Sequence, residues 1–128
     1  MKEKGQMCRE GAEQRIDGEI LICDTEEEYV KRLADALLLK KEVTAGVRIC
    51  SSPEMVQELL KIGLIKVLLI SEDVPYEKRK QIFAGKRIIL TRQHCVDLGE
   101  EETELRKYQP VDGLMTGILK GLQEEKFP

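Results

Sequence analysis

The hydrophobic positions alternate along the chain between short continuous runs and segments with helical spacing. Residues 19–23 form a short apolar run, and apolar residues then recur at helical intervals over residues 29–38. Residues 47–50 and 53–60 repeat this order, with Pro53 near the first helical position. The pattern predicts two successive strand–helix units.

The second half of the chain continues the alternation, with one irregular segment. Residues 65–70 are the strongest strand candidate, because their last four positions are all apolar, as in a central parallel strand covered on both faces. A brief helix over residues 76–83 and a strand over residues 86–91 follow. Residues 92–104 have too few apolar positions at helical spacing for a helix. The pattern ends with a short strand at residues 105–108 and a helix over residues 111–122.

This alternation predicts an α/β fold in which a parallel sheet of about five strands lies between two layers of helices. The fourth helix is expected to be short or absent. In such sheets the functional residues gather outside the carboxyl ends of the strands. Four polar residues occupy these positions: Asp24, Ser71, Thr91 and Lys107. We therefore expect a site at this edge of the sheet.

The length and composition are those of one globular domain. The chain has 128 residues, of which 41% are hydrophobic and 35% charged, a mixture too apolar for a disordered protein. We assign residues 19–123 to the domain and residues 124–128 to a C-terminal tail. Residues 1–18 are rich in charge and lack the apolar core of a signal peptide, so we expect a flexible N-terminal arm.

Charge and cysteine content argue against several functions. A net charge of -3 argues against nucleic-acid binding, and no apolar run approaches the roughly 20 residues of a membrane span. The four cysteines stand far apart without a C-x-x-C pair, which disfavours both a zinc site and a disulfide framework. We expect reduced thiols in a cytoplasmic protein, with no cofactor.

Four segments resemble, in order and spacing, the CheY-like receiver domains of response regulators. The segment ILICDTE at residues 20–26 resembles the family's apolar strand followed by two acids, and LLISEDVP at residues 68–75 resembles its phosphoacceptor strand with the downstream proline. ILT at residues 89–91 is similar to its switch-threonine strand, and RKYQP at residues 106–110 to its lysine followed by proline. The resemblance covers about residues 19–122 and implies a flavodoxin-like, three-layer α/β/α sandwich.

The same resemblance implies that the family's chemistry is missing. Receivers phosphorylate an aspartate at the end of the third strand, and the spacing to the downstream proline places Ser71 there. Asp24 matches the first acid of the metal-binding pair, but the second is Thr25. Because Asp24 alone is a poor magnesium site, we expect no bound metal. Thr91 and Lys107 are retained, so we expect a degenerate receiver pocket, no catalysis and a binding role.

A narrower resemblance concerns the ending KYQP at residues 107–110. It is similar to the degenerate receivers of TadZ and CpaE pilus-assembly proteins, in which the receiver precedes a ParA/MinD-like ATPase and helps to dimerise or localise the assembly. The resemblance implies a protein partner, a homodimer, and a role in pilus assembly, secretion or signalling. No Gly-rich phosphate loop with a lysine occurs here, so such an ATPase would be a partner outside this sequence.

Two residues of this pocket have alternative interpretations. Thr25 with Glu28 fits a helix capping box, which we favour over a degraded metal position. Lys107 either pairs with Asp24, which we favour because the pair would offset the acid, or lies solvated at the end of its strand.

Two further alternatives remain open. The short charged stretches at residues 77–80 and 100–102 are expected to be solvated faces, although they could steer a partner or pair between subunits. The alternative function is a phosphoaccepting receiver with an unorthodox acceptor, Asp73 or Glu72.

Overall fold

The computed structural model describes residues 16, 18–44, 46–61, 65–82, 85–95 and 97–124. Within these residues the chain forms five strands and four helices. In chain order they are β1 (Glu19–Cys23), α1 (Glu27–Leu38), β2 (Val47–Cys50), α2 (Pro53–Leu60), β3 (Ile65–Ser71), α3 (Tyr76–Arg79), β4 (Lys86–Thr91), β5 (Thr103–Arg106) and α4 (Val111–Glu124).

The five strands form one parallel sheet in the order β2-β1-β3-β4-β5. Because all strands run the same way, their carboxyl ends lie along a single edge. Apolar side chains of α1 and α4 pack on one face of the sheet, against Ile22 and Leu69, whereas Val56 of α2 packs on the other, against Leu68. The predicted flavodoxin-like three-layer α/β/α fold is confirmed.

The prediction that the fourth helix is short or absent is also confirmed. Between β4 and β5, residues 92–95 and 97–102 form turns and contain no helix. β5 begins at Thr103, two residues before the predicted start, because Thr103 and Glu104 pair with β4 although neither is apolar. Helix α3 is a single turn that ends at Arg79, which is shorter than predicted; Phe83, the predicted end, lies outside the described residues.

The packed domain begins earlier than residue 19. Ile16 is fully buried, its N–H donates to the carbonyl of Glu42 at 2.8 Å, and it pairs with Val43. Ile16, which lies within the predicted arm, therefore packs against the domain. Of the predicted flexible arm, residues 1–15 and 17 lie outside the described residues, as do residues 125–128 of the predicted tail. None of the helices that the structure describes is long and apolar enough to cross a membrane.

A buried ionic network fixes the segment that replaces the missing helix. The carboxylate of Glu102 accepts hydrogen bonds from Nε of Arg79 at 2.9 Å, Nη2 of Arg79 at 2.8 Å and Nε of Arg87 at 3.0 Å. The N–H of Gly99 also donates to this carboxylate, at 2.9 Å. Both side chains of the Arg79–Glu102 pair are fully buried. The network therefore ties α3 and β4 to the turn before β5.

The remaining donors of Arg79 are satisfied as well. Its Nη1 donates to the carbonyl of Val74 at 2.6 Å, and its Nη2 donates to the carbonyl of Asp97 at 2.9 Å. The interpretation of both charged stretches as solvated faces is therefore wrong for Arg79 and Glu102, which pair with each other inside the chain. The sequence could not show this, because charge runs carry no information about which of their members turns inward.

Candidate functional site

The residues predicted to form a site are brought to one edge of the sheet. Asp24, Ser71, Thr91 and Lys107 stand at or directly after the ends of β1, β3, β4 and β5, and all four are buried. A cavity of about 230 Å³ is lined by residues that include Asp24, Ser71 and the exposed Thr25. Thr91 ends the neighbouring strand β4, and the carbonyl of Thr91 accepts the N–H of Lys107 at 2.9 Å.

Lys107 and Asp24 form a buried ion pair. The distance from Lys107 Nζ to Asp24 Oδ2 is 2.6 Å, and each side chain is 1% exposed. Lys107 also forms an ion pair with Glu26. Burial alone would lower the pKa of Lys107, but the hydrogen bonds to Asp24 and Glu26 outweigh it and raise that pKa. The predicted pairing with Asp24 is confirmed, and Lys107 is not a solvated lysine.

Two tyrosines enclose the ammonium group of Lys107. Nζ lies 4.9 Å from the ring centroid of Tyr29 and 5.3 Å from that of Tyr108, distances at which cation–π attraction operates. The rings meet edge to face at 5.6 Å, and the Tyr29 hydroxyl donates to the carbonyl of Lys107 at 2.7 Å. The Tyr108 hydroxyl donates to Glu26. Two carboxylates and two aromatic rings therefore surround this cation.

This enclosure was not predicted from the sequence. Glu26 has no local sequence signal for pairing with Lys107, yet the two form an ion pair. Tyr108 follows Lys107, and the resemblance to receiver domains assigned it no role. The one available signal was that Tyr29, Lys107 and Tyr108 all lie near the carboxyl edge of the sheet.

The capping box predicted at Thr25 is wrong. Helix α1 begins at Glu27, its cap position is Glu26, and no side chain caps it. Instead, Asp24 Oδ1 accepts the N–H of Glu26 at 2.9 Å. A capping box needs the hydroxyl residue directly before the helix, and here the Asp24 turn separates Thr25 from it. One carboxylate oxygen of Asp24 thus accepts a hydrogen bond from the backbone, and the other accepts one from Lys107.

Ser71, which occupies the predicted phosphoacceptor position, makes a local hydrogen bond. Its Oγ accepts the N–H of Asp73 at 3.0 Å, and its carbonyl accepts the N–H of Val74 at 3.1 Å. This is the strand-end role expected for a serine here. The Thr91 hydroxyl is buried and has no hydrogen-bond partner within the described part of the chain.

Arg92 closes the neighbouring turn. Its Nη2 donates to Asp73 Oδ1 at 2.8 Å, and its backbone N–H donates to Glu72 Oε2 at 2.9 Å. These are the two acids considered as unorthodox phosphoacceptors, so each already has a partner. Arg92 follows Thr91 directly, but nothing in its sequence context indicated this contact.

The residues at this edge do not fit a magnesium ion. Magnesium requires several oxygen ligands near octahedral geometry, usually including carboxylates. Asp24 is bound to Lys107, Thr25 supplies only an exposed hydroxyl, and Ser71 is hydrogen-bonded within its own turn. Over the described ranges, no three His, Cys, Asp or Glu side chains are grouped so as to hold a metal.

Comparison with known proteins bears on the fold. No family model matches the sequence, and no curated protein matches it. Among solved structures, the receiver domain of the Francisella response regulator 1452 superposes with a TM-score of 0.65 and 15% identity, over 86% of this chain and 99% of that one. The chain has the fold of response-regulator receiver domains.

A second receiver domain has a similar likeness. The signal receiver domain of the putative response regulator NarL from Mycobacterium tuberculosis superposes with a TM-score of 0.61 and 12% identity, over 83% of this chain and 96% of that one. At such identities the likeness concerns the receiver fold alone. The superposition covers nearly the whole of each neighbour.

Proposed function

We propose that the chain is a non-catalytic pseudo-receiver that acts by binding a protein. One observation carries the proposal: Lys107, which matches the lysine of the receiver pattern, is held at 2.6 Å from Asp24, beside a serine at the acceptor position. Because Asp24 neutralises the ammonium group of Lys107, the pocket has no free positive charge to attract a phosphoryl group.

The chemistry of the pocket supports this proposal. Receiver phosphorylation needs a carboxylate nucleophile, and the hydroxyl of Ser71 cannot form the acyl phosphate that a carboxylate forms. It also needs a free cation for the transferred group, whereas Lys107 binds Asp24 and Glu26. The residues present do not fit the magnesium ion on which the reaction depends. Each of these features independently opposes phosphoryl transfer.

Phosphodonor treatment tests the proposal directly. With acetyl phosphate and magnesium, we expect the intact mass of the full chain to remain unchanged, because neither nucleophile nor metal site is available. Beryllofluoride with magnesium is expected to leave the amide NMR spectrum unchanged. An authentic receiver domain treated in parallel is the positive control. A phosphorylated product in good yield would refute the proposal.

The runner-up is a receiver that uses Asp73 as its acceptor. The observation in its favour is that Asp73 is half-exposed and lines the same cavity as Asp24. Its pairing with Arg92 opposes this role, because a nucleophilic carboxylate held by a guanidinium is less reactive. If phosphorylation were found, its loss in Asp73→Asn but not in the exposed control Asp35→Asn would identify this acceptor.

We further propose that the protein partner includes a second copy of the chain. The end of α1 exposes two adjacent leucines, with Leu38 50% and Leu39 87% exposed. Large apolar groups exposed side by side are typical of protein-binding surfaces. The proposed setting is the cytoplasm, in pilus assembly, secretion or signalling, with a ParA/MinD-like ATPase as a further partner.

Sedimentation equilibrium of the full chain tests the dimer. We expect a dimer that the double change Leu38→Ser and Leu39→Ser weakens by about a hundredfold or more, because each buried leucine contributes about 1.5–3 kcal/mol. Leu98→Ser, at an exposed leucine in the β4–β5 segment, is the matched control. A monomeric wild-type chain, or a dimer weakened only by the control change, would rule this interface out.

A further inference from the structure

Two cysteines face each other at the carboxyl edge of the sheet. Cys23 is the last residue of β1, Cys50 is the last residue of β2, and the two are directly paired in the parallel register. Paired residues of neighbouring parallel strands point to the same face, and the strands lie about 4.8 Å apart. A disulfide spans Cα atoms about 4.4–6.8 Å apart. The register therefore places this pair within reach of a disulfide, although the two cysteines stand 27 positions apart in the sequence.

The two thiols are chemically unequal. Hydrogen bonding to Cys50, burial and nearby negative charge raise the pKa of Cys23. Hydrogen bonding to the Cys23 thiol, together with the backbone of Ser52, lowers the pKa of Cys50 despite its burial. Ser52 caps the N-terminus of α2, a position that favours negative charge. Cys50, two residues before the cap of the N-terminus of α2, is thus the more readily ionised sulfur.

Each of the two cysteines lines a cavity that is open to solvent. Cys50 lines a cavity of about 180 Å³ between α1 and α2, together with Ile49 and Met55. Cys23 lines the adjoining cavity of about 230 Å³ that also contains Asp24 and Ser71. Cys50 is 6% and Cys23 1% exposed, so bulky reagents are excluded. A reagent of the size of hydrogen peroxide fits either cavity.

We propose that Cys23 and Cys50 form a redox-active dithiol that peroxide converts to a disulfide across β1 and β2. The Cys50 thiolate attacks one peroxide oxygen, so that an S–O bond forms, the O–O bond breaks and hydroxide leaves. The Cys23 sulfur then attacks the resulting sulfenic acid; the S–S bond forms, the S–O bond breaks, and the Cys23 proton leaves with the oxygen as water. The two thiols lose two electrons in total, and after hydroxide takes up a proton the peroxide has become two waters.

Oxidation would act on the edge that carries the site. Asp24 and Ser51 directly follow the two cysteines, and the N–H of Asp24 already donates to the carbonyl of Cys50 at 3.2 Å. A disulfide here would draw the ends of β1 and β2 together and shift the loops that line both cavities. This inference does not depend on the proposed function, since it concerns the thiols and not the phosphoacceptor position. It goes beyond the expectation from sequence, which was only that the thiols are reduced.

Peptide mapping after oxidation tests this proposal on the full wild-type chain. The reduced protein is treated with hydrogen peroxide, free thiols are blocked with N-ethylmaleimide, and the chain is digested without reductant. We expect one dominant linked product, the peptide pair containing Cys23 and Cys50, which dithiothreitol reverses. Urea-unfolded protein treated identically is expected to show mixed pairings that include Cys8 and Cys95, because the register is lost.

Single substitutions test the roles of the two sulfurs. In Cys23→Ser we expect a sulfenic acid at Cys50, which dimedone traps when the oxidised chain is unfolded in its presence, and in Cys50→Ser no such adduct at Cys23. Cys95→Ser is the matched control, because Cys95 is equally buried but lies on a separate segment, and the Cys23–Cys50 link should form as in wild type. Links only through Cys8 or Cys95, or complete alkylation of the folded wild-type chain, would overturn the proposal whether or not any variant folds.

Discussion

Replacing Glu102 with glutamine is expected to lower the free energy of unfolding by about 3–5 kcal/mol, the range for breaking a buried ion pair by removing one partner. The change keeps the size of the side chain and removes only its charge. Arg79, whose side chain is fully buried, would then keep only the partly exposed Asp97, at 3.3 Å, as its counter-ion, and Arg87 would lose its buried carboxylate. Urea unfolding at neutral pH, followed by circular dichroism, measures the loss.

The matched control is Glu58→Gln. Glu58 pairs with Lys61 on the surface of α2, where both side chains are more than two-thirds exposed. Exposed pairs contribute about 0–1 kcal/mol, so this variant should unfold almost as wild type does. Equal effects of Glu102→Gln and Glu58→Gln would contradict the buried network.

A compensating variant keeps the prediction testable if Glu102→Gln does not fold. Changing Arg79 and Arg87 to methionine and Glu102 to leucine removes all three charges together and leaves no buried ion unpaired. Such apolar replacement of a buried ionic group is often neutral or stabilising. We expect the triple variant to fold and to be more stable than Glu102→Gln.

The network also makes stability depend on pH. Burial alone would raise the pKa of Glu102, but hydrogen bonds from Arg79, Gly99 and Arg87 outweigh it, and the pKa lies below its ordinary value. A group whose pKa is depressed in the folded state contributes stability above its unfolded pKa of about 4.3 and loses it as pH falls through the folded value. Wild type should therefore lose stability more steeply than Glu102→Gln below about pH 5. If the two proteins gave parallel curves of stability against pH, Glu102 would have the same pKa in the folded and the unfolded state.

Replacing Lys107 with methionine is the second change with a large expected effect. It would leave Asp24 buried without its cation, and we expect a loss of about 3 kcal/mol, the low end for a broken buried pair, because Asp24 also lines a solvent-connected cavity. The methionine retains the apolar stem that packs beside Tyr29 and Tyr108. The melting temperature and urea midpoint of the variant report the loss.

A double-mutant cycle separates the pair from other contacts of Lys107. Asp24→Asn combined with Lys107→Met removes both charges, so we expect part of the lost stability to return, with a coupling of about 0.5–3 kcal/mol. Lys120→Met, at an exposed lysine of α4, is the matched control and should have little effect. Additive effects of the Asp24 and Lys107 changes would show that the ion pair contributes nothing beyond packing.

Much of the fold could be predicted because its signals are local. The apolar run of β3 and the helical spacing in α1 and α4 are properties of short segments, and their alternation leads to a parallel sheet with helices on both faces. The same local reasoning placed Asp24, Ser71, Thr91 and Lys107 at one edge, since the carboxyl ends of parallel strands meet there. It was less accurate for β5, because Thr103 and Glu104 carry no apolar signal and are strand only through their pairing with β4.

The partners inside the site could not be predicted in the same way. Lys107 contacts Asp24 across 83 positions of sequence, and the Tyr29 hydroxyl reaches Lys107 across 78. Which of several acids binds a lysine depends on the rotation of each helix and the path of each turn. For this reason the enclosure by Glu26, Tyr29 and Tyr108 became evident only in the folded chain.

The sequence by itself determined the α/β class, the order of strands and helices along the chain, and the short or absent fourth helix. It also determined that a serine, Ser71, stands where receivers carry an aspartate. Each of these follows from residue type and local spacing. Only the tertiary structure decided that Lys107 is neutralised within the pocket, that Arg79 and Glu102 are buried together, and that Cys23 faces Cys50. These are pairings between distant segments, and their geometry is set by sheet register and helix packing. Burial then makes each one energetically important, because a charge or thiol removed from water interacts mainly with the neighbour that the fold supplies.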